Sequence, residues 1–63
     1  MCLSNVYLVS DDDREELVCE YASSVDVDGG KIRLTDVIGQ EITVHGTILS
    51  VDLIKNQIRV KAG

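Results

Sequence analysis

Residues 24–35 read SVDVDGGKIRLT and hold the clearest local structure signal in the chain. Valine and aspartate alternate before the Gly29-Gly30 pair, and Ile32 and Leu34 alternate with polar residues after it. Alternation of apolar and polar residues predicts strands with one buried face, and the two glycines supply the positive-φ pair of a tight hairpin turn. The stretch therefore predicts an antiparallel hairpin, in which the acidic residues of one arm lie opposite the basic residues of the other.

The sequence after the hairpin continues the β pattern but changes its phase. Residues 36–39 predict a turn, and residues 40–53 predict one long strand. Apolar residues fall at even positions up to Ile48 and at odd positions from Leu49 onward, so the pattern slips by one residue after Gly46. Such a slip implies a β-bulge or a bend. Bent strands of this kind build small, strongly curved barrels.

The segment before the hairpin, REELVCEYA at residues 14–22, fits two secondary structures. As a strand it turns Leu17, Cys19 and Tyr21 toward the core. As a helix it is capped by an aspartate of the preceding acidic loop and forms an apolar stripe. Because a helix of about eight to ten residues without neighbouring helices is short, we interpret the segment as a strand with Cys19 as a buried thiol.

Strands are also predicted near the two ends of the sequence. Residues 3–9 contain no turn residue, and both faces of this strand are largely apolar. Lys55-Asn56 forms the last turn, after which Ile58 and Val60 alternate with polar residues. A chain this small can hardly cover both faces of its first strand, so we expect one face to pack on the core and the other on a second copy of the chain.

These segments predict an all-β fold with a single domain at residues 1–63, a small curved SH3-like or Sm-like barrel of about six short antiparallel strands. A domain of this size buries only about 60% of the surface that its unfolded chain exposes. Short chains usually strengthen such a core with disulfides, a metal or oligomerisation, and two cysteines are too few for a disulfide framework. We therefore expect a metal or a homodimer, with Val37 and Ile38 adding apolar surface to the contact.

Composition argues against several classes of function. Six basic against eleven acidic residues give a formal charge of −5, and the chain has two tyrosines but no Phe or Trp. Nucleic-acid binding relies on basic patches and stacked aromatics, so we do not expect a nucleic acid as partner. The acidic triplet at residues 11–13 does not match a calcium loop, and no catalytic or phosphate-binding spacing occurs. Without a signal peptide or a long apolar run, we expect a cytoplasmic protein with free thiols, no membrane partner and no enzyme activity.

Cys2 is the candidate metal ligand. A thiolate with an adjacent backbone nitrogen, or with the Met1 amine if Met1 is retained, forms fused five-membered chelate rings, and a two-fold axis would double this set. Mixed sulfur and nitrogen donors suit Ni(II) or Cu(II), whereas Zn(II) prefers four tetrahedral ligands. A small residue packed in a strand is the plainer interpretation of Cys2. His45 falls on the polar face of its strand, where it would be an auxiliary ligand at most.

Six segments follow one another along the chain in a recognisable order. They are MCL (1–3), VYLV (6–9), ELV (16–18), VDVDGG (25–30), KIRLTD (31–36) and VDLIKNQI (51–58). Their order resembles the CooT family of small nickel-binding accessory proteins of carbon monoxide dehydrogenase maturation. The resemblance implies an SH3-like barrel that forms a homodimer, with Ni(II) bound by Cys2 at the dimer interface. It also implies that the partners are a nickel enzyme or its maturation proteins.

Two other functions compete with this prediction. One is an RNA-binding module of the Sm-like or SH3-like kind, and the other is a domain that binds only proteins. The acidic charge and the scarcity of aromatic residues weigh against the first. The leading prediction is a nickel-binding, homodimeric accessory protein.

Overall fold

The computed structural model describes residues 3–63, and the residues it describes form five strands without a helix. The all-β prediction is confirmed, although about six short strands were expected. The difference arises because the segments 14–22 and 24–28, expected as separate strands, fall in one continuous strand that begins at Glu15. The strands are β1 (Ser4–Val9), β2 (Glu15–Asp28), β3 (Lys31–Asp36), β4 (Glu41–Asp52) and β5 (Gln57–Ala62).

The five strands close into a barrel in sequence order. Consecutive strands pair antiparallel, whereas β1 and β5 pair parallel, with Asn5 opposite Gln57 and Val9 opposite Lys61. This parallel pair departs from the expected antiparallel arrangement for a simple reason. In a ring of consecutive antiparallel strands, an odd number of strands leaves the first and the last running in the same direction.

The hairpin between β2 and β3 forms where the sequence predicts it. Asp26 lies opposite Arg33 and Asp28 opposite Lys31, so the expected pairing of acidic and basic residues is confirmed. Of the two turn glycines, only Gly29 has a positive φ, at 62°. The expectation of two positive angles was therefore wrong, because a type II′ turn needs a positive φ only at its first central residue.

The predicted bulge in β4 is confirmed. The register between β4 and β5 shifts between Ile48 and Ser50, which makes Leu49 the extra residue. Close to the bulge, the backbone of β5 approaches β4 so tightly that a Cβ on Gly46 would lie 2.0 Å from the Lys61 carbonyl oxygen. Only glycine fits at this crossing.

The strand β2 is bent at Tyr21, whose φ of 57° lies in the left-handed region. The register between β1 and β2 shifts twice along the same stretch. These irregularities break the alternation. Cys19 is buried as predicted and Ala22 is also buried, whereas Leu17 and Tyr21 are about half exposed. The prediction that Leu17 and Tyr21 face the core was therefore wrong.

The core is a single cluster of small and branched side chains contributed by four of the strands. Partly buried aliphatic residues of the same strands and of β4 pack around it. Its buried members are Val6, Cys19, Ala22, Ile32, Leu34, Ile58 and Val60.

The face of β1 that carries Tyr7 and Val9 is partly covered by side chains from other strands of the same chain. The guanidinium carbon of Arg59 lies 5.5 Å from the centre of the Tyr7 ring, and Arg59 also forms an ion pair with Glu15 of β2. Val9 is buried. The expectation that a second copy packs on this face stays a prediction.

Candidate functional site

The predicted metal ligand Cys2 and the neighbouring Met1 lie outside the described residues. The description starts at Leu3, which is half-buried, and β1 begins at Ser4. Because β1 lies between β2 and β5, both neighbouring strands and their turns surround the position where the first strand starts.

A line of three hydrogen bonds connects the start of β1 to two turns. The backbone N–H of Asn5 donates to the carbonyl oxygen of Asn56 at 2.9 Å, and the side-chain oxygen Oδ1 of Asn5 accepts from the N–H of Tyr21 at 3.3 Å. The carbonyl oxygen of Tyr21 then accepts from the N–H of Val37 at 3.1 Å. The start of β1 is thereby joined to the turn after β4 on one side and to the turn after β3 on the other.

The turn after β4 presents the most exposed aliphatic residues of the described chain. Oδ1 of Asp52 accepts hydrogen bonds from the N–H groups of Ile54 at 3.0 Å and Lys55 at 2.9 Å. The hydrogen bond from Lys55 is the main reason why the pKa of the Asp52 carboxyl is lowered. Held in this way, Leu53 is 78% exposed and Ile54 is 94% exposed.

The turn after β3 is built on the same plan. Oδ1 of Asp36 accepts from the N–H groups of Ile38 at 3.0 Å and Gln40 at 2.9 Å, and Gly39 takes a φ of 89°. Val37 and Ile38, at 57% and 76% exposure, face solvent. Both turns therefore hold a pair of aliphatic side chains away from the core.

The second thiol is poorly suited to metal binding. Cys19 is buried at 3% exposure, as predicted, and its thiol contacts the carbonyl oxygen of Glu20 at 3.9 Å. Burial raises the pKa of this thiol, and the carboxylate of Asp36 raises it further. Cys19 therefore stays a protonated core residue near neutral pH.

His45 is exposed on β4 opposite Lys31, whose cationic side chain would oppose binding of a metal ion there. Within residues 3–63, no group of three or more His, Cys, Asp or Glu side chains is arranged to hold a metal ion. The acidic triplet at residues 11–13 belongs to a turn, in which Asp13 has a φ of 62° and Asp11 pairs with Lys61 at 3.1 Å.

Sequence reasoning missed the residues that connect the start of β1 to its surroundings. Asn56 was expected only as a turn residue, and its φ of 55° fits that role. Its Oδ1 is buried without a hydrogen-bond partner among the residues that the structure describes. No sequence pattern indicated a role for Asn5 or Tyr21, because an alternating pattern of apolar and polar residues does not reveal the bend in β2 that brings Tyr21 to Asn5.

Comparisons with known proteins agree on one family. The family model for CooT, described as a CO dehydrogenase accessory protein, matches residues 1–61. A crystal structure provisionally described as CooT, from Carboxydothermus hydrogenoformans, superimposes with a TM-score of 0.88 at 21% sequence identity and covers 98% of both chains. At that identity the likeness establishes the fold alone.

A comparison with curated proteins gave no match. Nor does the described chain contain a helix of the length and hydropathy needed to cross a bilayer. The match of the family model over almost the whole sequence, together with the barrel, is decisive: this chain belongs to the CooT family of CO dehydrogenase accessory proteins.

Proposed function

We propose that this protein is a homodimeric accessory protein that binds nickel for the maturation of CO dehydrogenase, with the Cys2 thiolate as the metal ligand. The observation that carries the proposal is the family match, which begins at residue 1 and so includes the Met1-Cys2 start. The family description supplies the accessory role. Nickel, the homodimer and Cys2 as ligand are what the resemblance to the family implies, and donor chemistry and exposed surface support them.

The choice of metal rests on the donors that the chain can offer. Cys19 is buried and protonated, which leaves Cys2 as the other thiol of the sequence. A thiolate beside a backbone nitrogen, or beside the Met1 amine if Met1 is retained, is a sulfur and nitrogen set that suits Ni(II) or Cu(II). The resemblance to the CooT family favours Ni(II) of the two. The chain's many carboxylates are harder donors that suit Mg²⁺ or Ca²⁺ instead.

The homodimer requires a surface that can face its own copy. In an isologous contact each residue near the two-fold axis meets its own equivalent, so a patch of one charge would repel itself. Residues 47–51 are uncharged and include the half-exposed Leu49 and Val51. Leu53 and Ile54 add apolar surface in the turn after β4, where Asp52 and Lys55 flank them with charges of opposite sign. The hydrogen bond from Asn5 to Asn56 joins that turn to the start of β1. A two-fold axis beside the turn would therefore bring the two chain starts near one another.

Nickel would be cargo in this arrangement, and the role is not catalytic. A formal charge of −5 gives the surface a negative potential that attracts cations. The recipient would be the nickel enzyme or one of its maturation proteins, in keeping with the accessory role of the family.

Native mass spectrometry with and without Ni(II) tests the proposal directly. We expect a dimer of the parent chain that gains nickel, with both chains sharing one site. Cys2→Ser should remain a dimer but lose nickel, because a serine hydroxyl does not ionise near neutral pH. Cys19→Ser is the matched control and should bind nickel as the parent does. Retention of nickel by Cys2→Ser, or its loss in Cys19→Ser alone, would refute the assignment of the ligand.

A further inference from the structure

A shallow groove lies between the bend of β2 and the turn after β3, and we call it the Tyr21 groove. Its floor includes Val18 and Ile42, which are partly buried and pack on the core. Tyr21, Val37 and Ile38 stand around this floor at 55%, 57% and 76% exposure. The groove is thus apolar at its base and along its sides.

The groove stays open because the barrel has no strand to cover it. The part of β2 before its bend pairs with β1, and β3 pairs with β2 only from Ala22 onward. The segment Glu15–Cys19 therefore has a strand neighbour on one side only among the described residues. On the open side, the hydrogen bonds of Asp36 fix the turn that carries Ile38. The groove is thus preformed, so little conformational entropy of the turn is lost when a partner binds in it.

The charged residues that line the groove are all acidic. Glu20 and Asp36 lie at its edge, and none of the lining residues that the structure describes is Lys or Arg. The formal charge of −5 adds to the negative potential. Electrostatic complementarity therefore favours a partner with basic residues on either side of an apolar anchor.

This charge argues against a second copy of the chain as the occupant. A two-fold contact centred on the groove would bring Glu20 and Asp36 close to their own equivalents, and like charges placed together at an interface destabilise it. The uncharged surface at residues 47–51 carries no such penalty. The two exposed aliphatic turns are thus suited to different partners, and Val37 and Ile38, expected from the sequence to add to the homodimer contact, are assigned to the groove instead.

We propose that the Tyr21 groove docks an extended segment of a different protein, one with an aliphatic side chain flanked by Lys or Arg. The aliphatic side chain contacts Val18 and Ile42 between Tyr21 and Ile38, and the basic residues face Glu20 and Asp36. The lining residues of the groove lie between Val18 and Ile42 in the sequence, and docking on them does not require nickel.

The test uses NMR titration of the Cys2→Ser protein, which keeps the groove and lacks the candidate metal ligand. The probe is a synthetic hexapeptide, Lys-Lys-Leu-Leu-Lys-Arg, and the comparison peptide replaces its four basic residues with Glu. We expect the basic peptide alone to shift the amide signals of residues 18–21 and 36–42. Raising NaCl from about 50 mM to about 500 mM should weaken binding several-fold, because the Debye length becomes short.

Two matched variants separate the groove from the rest of the acidic surface. Ile38→Lys removes an apolar side chain from the groove and places a positive charge beside the basic peptide, so peptide binding should weaken about tenfold or more. Ile54→Lys makes the same change on the other turn and should leave peptide binding unchanged. Signals that shift evenly over the acidic surface, equal binding of the Glu peptide, or equal loss in both variants would overturn the proposal.

The oligomeric state supplies an independent check on the occupant. Ile38→Glu should sediment as the parent chain does. Conversion of a dimer to a monomer by Ile38→Glu would mean that a second copy covers the groove, and would overturn the proposal. If the parent protein does not bind nickel, the proposed role of Cys2 as a nickel ligand is refuted, but the expected peptide binding is unaffected.

Discussion

At the scale of single residues, the chemistry of the chain depends on the difference between its two thiols. Cys19 lies in the core, where burial and the carboxylate of Asp36 raise the pKa of its thiol. A metal ion needs the thiolate, so binding at Cys19 would require a deprotonation that its burial opposes. Cys2 precedes β1 by two positions in the sequence.

The first prediction concerns the pH dependence of nickel binding. Because nickel displaces the proton of the Cys2 thiol, the apparent affinity should rise with pH as that thiol titrates. Competition titration against a chromogenic chelator, with charge-transfer absorption as readout, measures this dependence. Cys19→Ser should give the same profile, and a flat profile would argue against a thiolate ligand.

The second prediction tests the close crossing at Gly46. A methyl group there would meet the Lys61 carbonyl at 2.0 Å, so Gly46→Ala must move the backbone of β5. We expect a loss of about 1–3 kcal/mol in the free energy of unfolding, the range for overpacked sites. Urea unfolding measures it.

Gly30→Ala is the matched control for Gly46→Ala. Gly30 has nothing within 4 Å of an added Cβ and does not have a positive φ. Its replacement should be neutral or stabilise the fold by less than about 1 kcal/mol. Equal losses for the two variants would mean that the crossing is not the cause.

At the scale of elements, the hairpin and the bulge in β4 could be predicted because each has a signature in the local sequence. The hairpin is marked by two glycines between alternating arms, and the bulge by a change from even to odd apolar positions. The bend of β2 leaves no such mark. Tyr21 is not a residue type that signals a positive φ, so Leu17 and Tyr21 were assigned to the core from an alternation that the bend interrupts.

The third prediction concerns the turn after β4. The hydrogen bonds that Asp52 accepts lower its pKa below the usual 3.8, so the folded state favours the carboxylate. The resulting stabilisation is complete above the pKa of the unfolded chain and is lost as pH falls through the lowered pKa of the folded state. Asp52→Asn keeps an acceptor oxygen but removes the charge.

Asp52→Asn should therefore be less stable than the parent chain at neutral pH, and the difference should vanish on acidification below the pKa of Asp52. Urea unfolding of both proteins as a function of pH measures this. Glu16→Gln removes one charge at an exposed position of β2 and serves as the control. If both variants show the same pH profile, the effect comes from net charge and not from the turn.

At the scale of the whole molecule, the site could be predicted only in part. The Met-Cys start is a sequence feature, and together with the β pattern it led to the proposed ligand Cys2 and to the family. The surface around the start of β1 is assembled by residues distant in the chain, Asn5, Tyr21 and Asn56, through contacts that exist only after folding. Contacts of this kind have no local signature.

The fourth prediction concerns the homodimer. Ile54→Glu places a charge on the surface proposed to meet its own copy and should weaken dimerisation about tenfold or more. Sedimentation equilibrium over a range of concentrations measures the change. Ile38→Glu, on the other turn, should not alter the dimer. Equal dimerisation of Ile54→Glu and the parent chain would place the contact elsewhere.

The parallel pairing of β1 with β5 also affects how the protein folds while it is being synthesised on the ribosome. The strand that follows Cys2 pairs on one side with residues 57–61, which are synthesised after the other four strands. Until they emerge, the barrel cannot close, and pairings between distant strands form slowly. The nascent chain therefore carries its first thiol before the barrel is complete, so access of metal ions and oxidants to Cys2 during translation depends on how quickly residues 57–61 leave the ribosome and pair with β1.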